Sequence, residues 1–107
     1  MDSRNSEKKA LSLLSIAAKA GKVISGSETV IEAVKSGKAV VLLVAPDASD
    51  RSKKVFKDKC SFYKVPVFEA FSKDELGKYT GKDERSAVAL TDEGLGRKMA
   101  ELLNEHN

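Results

Sequence analysis

Residues 21–49 read GKVISGSETVIEAVKSGKAVVLLVAPDAS, and the architecture follows from how this stretch is punctuated. Gly21 suits a left-handed cap on a preceding helix. Val23 and Ile24 are enough for a very short strand over residues 22–25. Ser25 and Glu28 then stand in the S-x-x-E arrangement, where the serine accepts from a first-turn amide and the glutamate reaches back, so a helix is predicted to start there. Thr29, Val30, Ile31, Ala33 and Val34 carry it to a stop at Ser36-Gly37. Residues 38–45, KAVVLLVA, form a β-branched run without polar alternation, the pattern of a strand covered on both faces.

Working outward, Leu11, Leu14 and Ala18 recur at helical spacing between Ser6 and Ala20. On the other side, residues 46–49 make a turn ending in an N-cap. A third helix follows, with Val55, Phe56, Cys60, Phe62 and Tyr63 as its apolar stripe opposite its lysines. Phe56, Tyr63 and Phe68 read as core. Residues 65–68 predict a strand opened by proline, where a missing N–H is tolerated. A brief helix is expected over 72–79, an exposed loop over 80–85 and a last strand over 86–90. Thr91 or Asp92 caps a final helix carrying Leu95, Met99, Leu102 and Leu103. The order α-β-α-β-α-β-α-β-α predicts a three-layer α/β/α sandwich around one mixed four-stranded sheet.

A length of 107 residues fits one compact domain. Hydrophobic residues at 41% and charged residues at 33% give a globular balance rather than a disordered one. The single cysteine, Cys60, excludes an internal disulfide. No charged leader with an apolar stretch opens the sequence, and no apolar run approaches the roughly 20 residues that span a bilayer. A cytoplasmic monomer with no membrane association is the expectation. The net charge of +3 and pI near 9.0 fit a polyanionic partner without demonstrating one. Arg51, Lys53, Lys54, Lys57 and Lys59 crowd one segment, at the spacing of the solvated side of a helix.

Several chemistries lack their residues. The only histidine, His106, is next to the end of the sequence, so no base stands ready for a serine or cysteine nucleophile. Structural zinc wants four cysteine or histidine ligands, and the chain has two such residues. In GKYTGKD, residues 77–83, Gly77, Gly81 and Lys82 suggest a phosphate loop. The glycine spacing is one residue short, however, and Asp83 stands where a magnesium-binding hydroxyl belongs. Asp92 and Glu93 decorate a helix start, where the dipole favours them. No catalytic residue, metal ligand or cofactor is expected.

Residues 21–49, with FSKDELGKYTG at 71–81 and the strand SAVAL at 86–90, resemble the kink-turn-binding ribosomal protein family. The shared features are a glycine-opened helix, the segment AVKSGKA at 33–39 and a buried strand ending in alanine. The likeness covers about residues 7–103. It implies an α/β/α sandwich with an RNA surface in two parts. One is the start of the second helix, Gly26, Ser27, Glu28, Thr29 and Glu32, with Lys35 one turn further. The other is the loop before the last strand, ending in Arg85, Ser86 and Ala87. Lys19, Lys22, Lys35 and Lys38 would hold the RNA backbone, a salt-sensitive contribution that carries no sequence information.

The implied partner is a structured RNA, ribosomal or kink-turn-like, bound without catalysis, with ribosomal or translation proteins as further partners. Kink-turn binders of the family typically carry an amide or lysine where this chain has Glu28, a glutamate or glutamine at Thr29, and a lysine at Glu32. A carboxylate beside phosphates is repelled unless a base donor faces it. The sequence therefore leaves a rival, a protein-interaction module on the same fold that has lost kink-turn recognition. It also leaves Glu28 as either a helix cap or a ligand contact, and Gly26 as either a turn residue or a point of RNA approach.

Overall fold

The computed structural model describes residues 3–104, with side chains from residue 5; His106 lies outside them. In chain order the elements are α1 (Ser3–Lys19), β1 (Val23–Ser25), α2 (Ser27–Ser36), β2 (Val41–Val44) and α3 (Asp50–Tyr63). They are followed by β3 (Val67–Glu69), α4 (Lys73–Lys78), β4 (Ala87–Leu90) and α5 (Glu93–Asn104). The strands make one mixed sheet in the order β1-β4-β2-β3, with β2 and β3 parallel and β4 antiparallel to both its neighbours.

Strand alternation divides the core into two layers. Val41 and Leu43 of β2, with Val88 and Leu90 of β4, face Leu14 and Ala17 of α1 and Met99 and Leu103 of α5. Leu42 and Val44, with Ala87 and Ala89, face Val30 and Val34 of α2 and Phe56 and Cys60 of α3. All four residues of β2 and of β4 are buried, which is why the central run shows no polar alternation. The expected three layers are the observed ones.

Local chemistry sets the ends of the helices. Gly21 and Gly37 take left-handed φ of 73° and 83° after α1 and α2. The Ser49 hydroxyl accepts from the Ser52 amide at 3.1 Å to open α3, and Asp92 Oδ2 accepts from the Leu95 amide at 2.9 Å to open α5. Ser72 and Glu75 form a reciprocal capping box that starts α4.

The stripe expected on α3 is corrected. Phe56 and Cys60 are buried, but Val55, Phe62 and Tyr63 are exposed, so Tyr63 is not a core residue. The buried arc of α3 is narrow: Phe56 and Cys60 enter the layer between β2 and α2, and most of the helix surface is left to solvent. Phe68 packs against the α1/α5 core while remaining half-buried.

Topology also fixes which loops meet. β1 and β2 point the same way, and α2 runs back between them. The start of α2 therefore lies at the end of the sheet where β1 and β2 finish and β4 begins. The end of α2 lies at the opposite rim.

Candidate nucleic-acid interface

The first corner of the sheet is built from Ser25 upward. Ser25 ends β1 and pairs with Val88 of β4, so it is a strand residue and not the cap of α2. The N-cap is Gly26, with φ 96° and ψ 131°, a region that residues bearing a Cβ seldom occupy. A glycine there offers no side-chain oxygen, and no side chain caps the helix. The Val30 amide closes the first turn onto the Gly26 carbonyl at 2.8 Å, which leaves the amides of Ser27, Glu28 and Thr29 pointing outward without a helical acceptor. The expected capping box at Ser25 and Glu28 is thus overturned. Ser27, Glu28 and Thr29 are exposed, and Glu28 has no hydrogen bond or ion pair among the described residues.

The second part arrives through β4. The loop over 80–86 is tied to α4: the Lys82 amide donates to the Gly77 carbonyl at 2.8 Å and the Arg85 amide to the Lys73 carbonyl at 3.1 Å. The loop lies so close over Gly77 that a Cβ on that residue would stand 2.5 Å from the carbonyl carbon of Asp83 and nearer still to its oxygen. Gly77 is therefore a buried packing glycine and not part of a phosphate loop.

Arg85 is fixed by its own loop and by β1. Its Nη1 donates to the carbonyls of Asp83 at 3.2 Å and Glu84 at 3.0 Å, and its Nε donates to Ser25 Oγ at 3.3 Å. Nη2 has no protein acceptor among the described residues. A guanidinium held on two nitrogens with the third free is a positioned donor for an anion, and its fork geometry suits a phosphate. The bond from Arg85 to Ser25 joins the loop to the strand that delivers α2.

The structure brings together Gly26, Ser27, Glu28, Thr29, Arg85 and Ser86. It does not bring the lysines with them. Lys35 follows Ser27 by eight residues of helix, about 12 Å at 1.5 Å per residue. Lys22 sits at the other end of β1, where its carbonyl accepts from the Thr91 amide at 2.9 Å. Lys22 and Lys38 are exposed at that opposite rim. Glu32 lies between the two groups, its carboxylate 3.9 Å from Lys35 Nζ. Ala87 offers no side-chain surface to a ligand, since it is 2% exposed and packs in the α2/α3 core. It is buried because helices cover both faces of β4, and alternation with Val88 merely assigns it to the α2/α3 layer.

Comparison with known proteins decides the family. The profile of the ribosomal protein L7Ae/L30e/S12e/Gadd45 family matches residues 8–100. The chain belongs to that family. Among its relatives in the L7Ae/L30e/S12e/Gadd45 family, the RNA-binding protein YlxQ of Enterococcus faecium is 42% identical over 95 residues, covering 89% of this chain and 91% of that protein. The RNA-binding protein YlxQ of Bacillus subtilis is 40% identical over 92 residues, covering 86% and 92%. A solved Bacillus halodurans protein of unknown function superposes with a TM-score of 0.86 at 38% identity, covering 90% of this chain and 97% of that one. The Giardia lamblia 15.5kD RNA binding protein shares the fold, with a TM-score of 0.77 at 23% identity, covering 94% and 87%.

Elsewhere on the molecule, titratable groups serve the fold. Burial pushes the Cys60 thiol up to about 11, so it is not a poised nucleophile. Glu69 at the end of β3 receives a hydrogen bond from Lys57 and lies 3.7 Å from Lys53 Nζ. The Lys57 hydrogen bond leads in holding its carboxyl below the usual value. No cluster of histidine, cysteine and carboxylates suited to a metal occurs among the described residues, and none of their helices is long and apolar enough to cross a membrane.

Proposed function

We propose that this protein binds structured RNA without catalysing a reaction, at the corner formed by the start of α2 and the loop before β4. The observation that carries the reading is Arg85: its hydrogen bond to Ser25 couples the two segments, and its Nη2 has no protein acceptor among the described residues, next to a helix whose start no side chain caps. The outward amides and positive dipole end of α2 attract a phosphate or a guanine edge. Arg85 supplies a fixed charge, and the hydroxyls of Ser27 and Thr29 supply short donors and acceptors. Family membership and the RNA-binding names of the YlxQ relatives support the same reading.

Glu28 is the feature that selects among RNAs. Its carboxylate repels phosphate and accepts from cytosine N4 or from guanine N1 and N2, so the preferred target presents an unpaired base donor at the first turn of α2. Ribosomal RNA, with its many bulged and looped bases, is the partner class favoured, in association with the ribosome and in the cytoplasm. Lys22 and Lys35 then act at a distance, on phosphates further along the same RNA.

Fluorescence titration of the protein against ribosomal RNA fragments and kink-turn hairpins at two salt concentrations tests this. Arg85→Ala is expected to weaken binding about tenfold and to lower the salt slope by about one. Absence of salt-dependent binding to every one of these RNAs would leave the rival, a protein-interaction module whose contact is the exposed Glu28 and Glu32 face. A pull-down that survives ribonuclease would then identify it.

A further inference from the structure

The outer face of α3 is unlike the other helix surfaces. The large apolar side chains left exposed among the described residues are Ile16 of α1 and three on α3: Val55 at 39%, Phe62 at 77% and Tyr63 at 38%. At 100° per residue, Arg51, Val55, Asp58 and Phe62 fall in one stripe along the helix, with Lys59 and Tyr63 along one edge. They point away from Phe56 and Cys60, which fill the core. The Phe62 and Tyr63 rings meet edge to face with centroids 4.9 Å apart, so each steadies the other while Phe62 keeps an open face.

The charges around this stripe are positive on balance. Lys53 is engaged by Asp50 and Glu69, Lys57 by Glu69, and Lys54 by Asp58 at 3.4 Å. That last pair sets a cation beside Asp58, the carboxylate within the stripe, so Arg51, Lys54 and Lys59 outnumber it. Arg51 and Lys59 have no acidic partner among the described residues. Cations and apolar side chains thus share the surface over about three turns, with both rings at its C-terminal end.

We propose that this stripe is a landing surface for single-stranded RNA, with a base stacked on Phe62 and phosphates held by Lys59 and Arg51. Base stacking on aromatic side chains tolerates any sequence, and interspersed cations follow the backbone; the combination is what an unpaired strand requires. A second copy of the chain fits poorly. Three apolar side chains separated by charges do not approach the ~800 Å² per partner that a stable interface buries. The stripe also has a direction: α3 packs beside α2 and starts at the same end of the sheet, so Arg51 is nearest the corner and Phe62 farthest. An RNA gripped at the corner can lay a single-stranded flank along α3.

This surface extends the RNA-binding reading, and its test separates the two. The full chain and Phe62→Ala are titrated with a hairpin bound by the corner, with that hairpin carrying a six-uridine single-stranded extension, and with oligouridine alone. Phe62→Ala folds as the parent does, because the ring is solvent-exposed; a thermal melt checks it. The extension is expected to tighten binding by the parent about tenfold, and Phe62→Ala to abolish that gain while leaving the bare hairpin unchanged. Ultraviolet crosslinking of oligouridine should map to the peptide holding Phe62 and Tyr63. If the extension adds nothing, or Phe62→Ala keeps the full gain, the proposal is wrong. Should no hairpin bind at all, the corner reading fails, and oligouridine crosslinking alone judges the stripe: labelling at Phe62 or Tyr63 supports it, and labelling elsewhere or none overturns it. Dimerisation of the parent that Phe62→Ala abolishes, without oligouridine binding, also overturns it.

Discussion

Replacing Gly77 with alanine tests how the loop carrying Arg85 is held. The added methyl would stand 2.5 Å from the Asp83 carbonyl carbon and 3.0 Å from the Glu84 nitrogen, where ordinary contact begins at 3.4 Å. Both are backbone atoms and cannot swing aside, so the loop must retreat by about 0.9 Å or more, since repulsion at shorter range is steep. Such a shift stretches the 2.8 Å bond from the Lys82 amide to the Gly77 carbonyl and the 3.1 Å bond from the Arg85 amide to Lys73. Each is worth about 1 kcal/mol net. Alanine recovers up to about 1 kcal/mol of helix propensity, less in a six-residue helix than in a long one. The net expectation is a loss of about 1–2 kcal/mol, or a Tm lower by roughly 5–15 °C. Urea denaturation with unchanged m-value measures it. Gly94→Ala is the control: its Cβ meets only Asp92 Oδ2 at 3.4 Å on an exposed helix turn, so it should be neutral or slightly stabilising. A Gly77→Ala protein as stable as the parent would refute the claim that α4 and the loop are in contact through this glycine.

Glu28→Gln should lower the melting temperature by no more than a few degrees, because Glu28 makes no cap and contributes only its charge at the positive end of α2, and should tighten binding to a kink-turn hairpin severalfold by removing a charge repelled by phosphate. A marked loss of stability would restore the capping assignment. Glu69 has a folded pKa below its ordinary 4.5, so its ion pairs stabilise the protein above that value and the contribution fades as pH falls through the lowered folded value. Glu69→Gln is expected to cost less than about 1 kcal/mol at pH 7, given the exposure of the pair, with the difference from the parent closing in acid. Denaturation curves at neutral and acidic pH read this directly, and a gap that widens in acid contradicts it. Cys60, 1% exposed and with its thiol raised to about 11, should resist a thiol reagent at pH 8 in the native state and react once the chain is unfolded. Rapid labelling of the folded protein would show that α3 opens far more readily than its packing implies.

The sequence by itself determined the element order, both interior strands and the three layers. These follow from local patterns: the unbroken run over 38–45, glycines at 21 and 37, and helical spacing in α1 and α5. It also named Gly26–Thr29 and Arg85–Ser86, through family resemblance rather than spacing. The capping box at Ser72 and Glu75 was present in the same S-x-x-E form as the false one at Ser25 and Glu28. Nothing local separates the two; Ser25 is claimed by pairing with Val88, a partner distant in the chain. Tertiary structure alone decided which predicted residues share a corner. Antiparallel pairing of β1 with β4 sets Ser25 beside the Arg85 loop, and the reversal of α2 carries Lys35 to the far rim. It alone turned Ala87 inward, left Phe62 and Tyr63 in solvent, and closed the 80–85 loop onto Gly77. Periodicity specifies which residues share a face of one element; what that face meets depends on contacts between segments that the chain brings together only when folded.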